Sequence, residues 1–198
     1  MKLFVDKAEW HFPDRWSMTD DEFFEFASQM DEKRIERDKH GNILIMPPVG
    51  GNTGEYEVNA AFYIKLWAMK NGGRVFGSNT AFKLPNSAVR SPDAAWISET
   101  RYALVPNDLR KKFPPICPDF VIEVRSSSDA LKPIQEKMEE YMENGALLGF
   151  LIDPIQQKAW IYRQNSTPEL VEGFSGTLSG ENVMPEFELP LSAFRGEE

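Results

Sequence analysis

One carboxylate constrains this chain more than any other feature. Glu123 lies inside Phe120-Val121-Ile122-Glu123-Val124, an apolar run that reads as a buried strand. An uncompensated charge there costs on the order of several kcal/mol unless cations or hydrogen-bond donors satisfy it. Folding alone gives no reason to place it there. A second acid, Asp93, opens another apolar strand, Asp93-Ala94-Ala95-Trp96-Ile97, directly after Ser91-Pro92. Two strands that each aim a carboxylate at one place make a hard-oxygen site of the kind that holds Mg²⁺ or Mn²⁺.

The flanking elements follow from local patterns. Thr19 suits the cap of a helix over Asp20 to Met30. Arg34 to Arg37 and Ile43 to Met46 flank Lys39-His40-Gly41-Asn42 and predict a hairpin. The loop Gly50 to Gly54 is expected to lead into a helix from about Glu55 to Met69, with Val58, Phe62, Leu66 and Met69 as its buried face. Short strands follow at 74–76, 81–84 and 93–97, with Pro85-Asn86-Ser87 as the turn between the last two. Residues 99 to 119 read as irregular, with a short helix near Asp108 to Lys112. A helix from Leu131 to Asn144 stops at Gly145, a hairpin covers 147–162, and weaker strands lie near Leu170 and Leu178. This order predicts an α+β or mixed α/β fold, a central mixed sheet flanked by helices, with an N-terminal helix and hairpin. At 198 residues and 41% hydrophobic content, the expectation is one domain over 1–198.

Alternation along a strand lets Asp119, Glu123 and Arg125 share one face. The short loop Ser126-Ser127-Ser128-Asp129 keeps the next helix close to the strand end. On that helix Ile134, Met138 and Tyr141 form an apolar stripe with Lys137 on its border. Glu136, Glu139, Glu140 and Glu143 are expected to face away. These parts suit phosphodiester hydrolysis, with Asp93 and Glu123 holding a metal and Lys137 orienting water or neutralising charge on the phosphate. Glu55 or Glu57 could complete the metal shell through water. Each residue also has a plainer reading. Asp93 suits a turn, Glu123 an ion pair with Arg125 or another cation, Lys137 a solvated helix face, Glu55 and Glu57 a helix surface, and Asp119 a strand cap.

The net charge of −9 argues against a protein that merely coats nucleic acid. From Lys65 to Lys112, however, nine cations meet three acids, a local +6 against −15 for the rest. One reading is chance clustering; the other is a polyanion-facing surface, with Lys83 and Arg90 beside the site. No apolar stretch reaches membrane-span length, and Met1 to Asp6 lack a leader-like apolar core, so a cytoplasmic protein is expected. Cys117 is the single cysteine, which excludes an internal disulfide. With only His11 and His40 beside it, zinc is not expected. No organic cofactor is implied, because phosphate-loop, nucleophile-elbow and dinucleotide patterns are all missing.

Gly50 to Gly54, Phe82-Lys83-Leu84-Pro85-Asn86, Arg90-Ser91-Pro92-Asp93-Ala94 and Cys117 to Ser126 form an ordered series of segments. Glu136 to Tyr141, Glu143-Asn144-Gly145-Ala146 and Leu151-Ile152-Asp153-Pro154 complete the set. Together they resemble the Uma-type restriction endonuclease family. The resemblance covers about 15–190 in order. It implies the PD-(D/E)XK nuclease superfamily, a restriction-endonuclease-like core, metal-binding Asp93 and Glu123, and DNA as partner. The superfamily's lysine position holds Arg125 here, which keeps its proton; the family pattern favours Lys137 in its place, and Arg125 could still stabilise charge in catalysis. The loop after Ser126 lacks the family's proline, and the early helix acid is replaced by Asn52 or Asn59, with Glu55 and Glu57 as substitutes. Three functions follow as expectations: a Mg²⁺- or Mn²⁺-dependent DNA endonuclease, a catalytically degenerate fold that binds nucleic acid or protein, and a hydrolase of small phosphate esters. Double-strand cleavage would call for a homodimer.

Overall fold

The computed structural model describes residues 9–10, 18–30 and 34–196. Met1 to Asp6, His11 and Trp16 lie outside them. The order is β1 (Glu9–Trp10), α1 (Asp20–Gln29), β2 (Arg34–Arg37), β3 (Ile43–Met46), α2 (Gly51–Asn71), β4 (Arg74–Gly77), β5 (Phe82–Lys83), β6 (Val89–Arg90) and β7 (Ala94–Ile97). Then come α3 (Glu99–Ala103), β8 (Phe120–Val124), α4 (Leu131–Glu143), β9 (Leu148–Asp153), β10 (Lys158–Arg163), β11 (Glu169–Glu172), β12 (Thr177–Ser179) and β13 (Glu188–Pro190).

The larger sheet has the order β11-β10-β9-β8-β7-β4. β8 and β9 run parallel and every other pair is antiparallel, so the sheet is mixed. The parallel pair needs a crossover, and α4 supplies it. Alternation then divides the buried side chains between two faces. Phe120, Ile122 and Val124 pack with Tyr56, Ala60 and Ile64 of α2. Val121 packs on the other face with Met138 and Tyr141 of α4. Each large apolar side chain buried this way stabilises by about 1.5–3 kcal/mol. The smaller sheet, β1-β3-β2-β6-β5, forms a separate cluster with α1 through Phe23, Ile35 and Ile43. α1 begins with a reciprocal cap: the Glu22 amide donates to the Thr19 hydroxyl at 3.3 Å, and the Thr19 amide donates to the Glu22 carboxylate at 2.8 Å.

Four expectations are corrected. α2 starts at Gly51, so the glycine-rich loop is its first turn. Its buried residues are Tyr56, Ala60, Ile64 and Ala68, and the stripe Val58, Phe62, Leu66 and Met69 faces out. Both sets recur at helical spacing, and the small alanines are the ones that let α2 approach the sheet. The turn at 85–87 joins β5 to β6, an additional strand, before the chain crosses to β7 in the other sheet. α3 lies inside the segment expected to be irregular.

Candidate active site

The register between β7 and β8 pairs Ala94 with Ile122. One step further along this register sets Asp93 opposite Glu123, with both side chains on the α4 face. Both are buried and both line one cavity of about 760 Å³ between the larger sheet, β2, β3 and α4. The Val124 amide donates to Asp93 Oδ2 at 2.8 Å. The Tyr141 hydroxyl donates to Glu123 Oε1 at 3.2 Å.

α4 delivers Lys137 into the same hollow. Its Nζ lies 2.8 Å from Glu123 Oε1 and 2.8 Å from Glu36 Oε1, and donates to the Ser91 carbonyl at 3.0 Å. Glu36 comes from β2 and is buried. It also accepts from the Ser91 amide at 2.9 Å and from Arg90 Nη1 at 3.1 Å. The other side of Arg90 binds Glu140 at 2.5 Å, so Glu140 faces inward rather than away. Also on β2, Arg34 donates to Asp93 Oδ1 at 2.6 Å and stands 3.9 Å from Glu57. Arg34 further borders a second cavity of about 670 Å³ that Glu57, Ser78 and Ser91 line.

These contacts sort the charges. Burial would push Glu36 up, but Lys137 and Arg90 override it and hold its carboxyl down at about 2. Burial pushes Glu123 up to about 8, and Lys137 only partly offsets that while Asp93 and Glu36 add to it. The lysine serves both acids, yet among the described residues Glu36 has two further donors where Glu123 has only Tyr141. Glu123 is therefore the carboxylate short of positive charge. Burial would lower Lys137, but Glu123 and Glu36 raise it, so it stays an ammonium. Burial and the nearby Asp93 raise Glu57.

The other expected site residues divide clearly. Glu57 reaches the site's edge, whereas Glu55 is exposed on the outer side of α2. Arg125 turns to Asp153 at 2.7 Å and to the Asp129 carbonyl at 3.0 Å, because the neighbouring strand offers a fully buried acid. Asp119 is held by Arg101 and accepts from the Ser98 amide at 2.8 Å, at the opposite end of β8. Lys83 pairs with Asp20, and Arg90 is committed to Glu36 and Glu140, so neither presents a bare cation to phosphate. Of the seven other cations in the 65–112 segment, Arg74 pairs with Glu99, Arg101 with Asp119 and Lys112 with Asp21. Burial pushes the Cys117 thiol up to about 12, as suits a structural cysteine. Sequence reasoning missed Arg34, Glu36 and Glu140. Glu36 sits in a strand as Glu123 does, but Arg34-Ile35-Glu36-Arg37 holds one apolar residue, so no burial signal marks it.

Among the described residues, no group of three or more acids, histidines or cysteines is arranged to hold a metal ion. A guanidinium adjoins Asp93 and an ammonium adjoins Glu123. The donor chemistry nevertheless fits a hard divalent cation: carboxylate oxygens from adjacent strands, with Glu123 under-neutralised.

A mixed sheet between helices, acids opposed on neighbouring strands and a lysine on the crossover helix define a nuclease-like fold. The chain matches the Uma2 family, described as "Putative restriction endonuclease", over residues 20–192, and it belongs to that family. A solved structure from Anabaena variabilis ATCC 29413, described as a "putative nuclease belonging to DUF820", shares the fold with a TM-score of 0.70 at 18% identity. The likeness covers 89% of this chain and 97% of that one. No curated protein matches the sequence. No helix among the described residues is long and apolar enough to cross a membrane.

Proposed function

We propose that the chain, acting as one domain, is a metal-dependent endonuclease that hydrolyses phosphodiester bonds in DNA. Asp93 and Glu123 would hold Mg²⁺ or Mn²⁺, with Glu57 at the margin. Such an ion, when bound, supplies a water of lowered pKa and positive charge for the phosphate. Tyr141 fixes the Glu123 carboxylate. Lys137 keeps its proton, so it serves as a donor that steadies an attacking water or the charge building on the phosphate, not as a base. Arg34 holds Asp93 Oδ1 at 2.6 Å, so it would compete with an ion for that oxygen. The observation that carries this reading is the opposition of Asp93 and Glu123 across β7 and β8 with the Lys137 ammonium 2.8 Å from Glu123.

One observation favours the second reading, a degenerate fold that binds nucleic acid or protein: the Arg34 guanidinium already neutralises Asp93. The test is plasmid nicking with Mn²⁺, comparing the native chain with Asp93→Asn and Glu123→Gln. Cleavage by the native chain alone supports the endonuclease. Equal cleavage by all three points to a contaminant and rejects it. No cleavage, with salt-sensitive DNA binding, favours the binding module.

A further inference from the structure

Val58, Phe62, Leu66 and Met69 on α2 are 65%, 54%, 48% and 74% exposed. Steps of three and four residues bring them onto one side of the helix, so they form a continuous apolar stripe. The helix has 21 residues, a length of roughly 30 Å at ~1.5 Å per residue. Its exposed charges are segregated. Glu55 lies near the N-terminal end, and Lys65 and Lys70 lie toward the C-terminal end. A parallel second copy would set lysines against lysines. An antiparallel copy sets Phe62 against its own counterpart, Val58 against Leu66 and Glu55 against Met69 with Lys70 the next residue along, within reach of a lysine side chain, and it also opposes the helix dipoles favourably. The stripe is thus self-complementary about a two-fold axis at Phe62, as an isologous interface requires.

We propose that this face of α2 is the interface between two copies of the chain, with the helices antiparallel and the axis at Phe62. The proposal stands on the helix face alone and holds whether or not the site cleaves phosphodiesters. Sedimentation of the full chain should give a dimer, and Phe62→Lys should give a monomer with unchanged far-UV circular dichroism. Glu55→Lys should weaken the dimer, and adding Lys70→Glu should restore it. Because Phe62 lies on the axis, Phe62→Cys should cross-link to itself under mild oxidation, while the buried Cys117 stays inert. That cross-link decides the matter if Phe62→Lys fails to fold. A native chain that is monomeric throughout, whether its own N-terminal residues or another protein cover the stripe, overturns the proposal. A dimer that survives Phe62→Lys and gives no Phe62→Cys cross-link overturns it equally.

Discussion

Arg34 donates to Asp93 at 2.6 Å from a strand of the other sheet, so one acid of the proposed metal site is neutralised by a residue 59 positions away. A divalent ion at the proposed site and this guanidinium would compete for the same oxygen. Replacing Arg34 by Gln strands a buried carboxylate, which costs about 3–5 kcal/mol. Mn²⁺ should recover much of that loss, because binding to the folded state stabilises it. The expected outcome is a melting temperature below that of the native chain without metal, with a larger rise on adding Mn²⁺. Calorimetry should show tighter Mn²⁺ binding. An Arg34→Gln variant indifferent to Mn²⁺ would count against a metal site at Asp93.

Glu123 makes stability fall with rising pH. Its folded value, pushed to about 8 by burial, exceeds its ordinary value of 4.5. The folded state therefore holds the proton more tightly, and this contribution is complete below about 4.5 and lost as pH rises through about 8. Denaturant unfolding of Glu123→Gln across this window should show a flatter decline than the native chain. Parallel curves would mean that Glu123 is already ionised at neutral pH.

Glu36 acts with the opposite sign. Lys137 and Arg90 hold it at about 2 against burial, below its ordinary value of 4.5. Its contribution is present above about 4.5 and disappears as pH falls toward about 2. Glu36→Gln should cost about 3–5 kcal/mol at neutral pH, since two buried cations lose their shared partner. The gap between variant and native chain should close in acid unfolding titrations near the lower value.

Arg125 and Lys137 should separate structure from chemistry. Arg125→Met breaks the buried pair with Asp153 and should lower stability by about 3–5 kcal/mol. Mn²⁺ heat and nicking per folded molecule should stay unchanged. Lys137→Met should instead abolish nicking at temperatures where the variant remains folded. Loss of nicking in folded Arg125→Met would return Arg125 to the site.

The large sheet and its two helices were legible because their signals are local. Apolar runs, the capping Thr19 and the stop at Gly145 each act within a few residues. Asp93, Glu123 and Lys137 were legible for the same reason, since a charge beside an apolar run shows itself. Arg34, Glu36 and Glu140 were not, because their burial arises only when the smaller sheet closes over the larger one. The α2 faces were misjudged because the large side chains outweigh the alanines in any pattern, whereas close helix–sheet approach selects the alanines. Arg125 illustrates the remaining gap: alternation gives its face, but the competing acid on β9 is visible only in the folded chain.

The site straddles a seam. The larger sheet and α4 supply Asp93, Glu123 and Lys137, whereas the β2–β3 hairpin supplies Arg34 and Glu36. Removing the charge of Arg34 or Glu36 therefore changes the charge of the hollow by one unit from outside the sheet that carries the opposed acids. The hairpin thus sets the charge balance around acids that another sheet carries, and in the proposed nuclease that balance would govern how readily an ion is held.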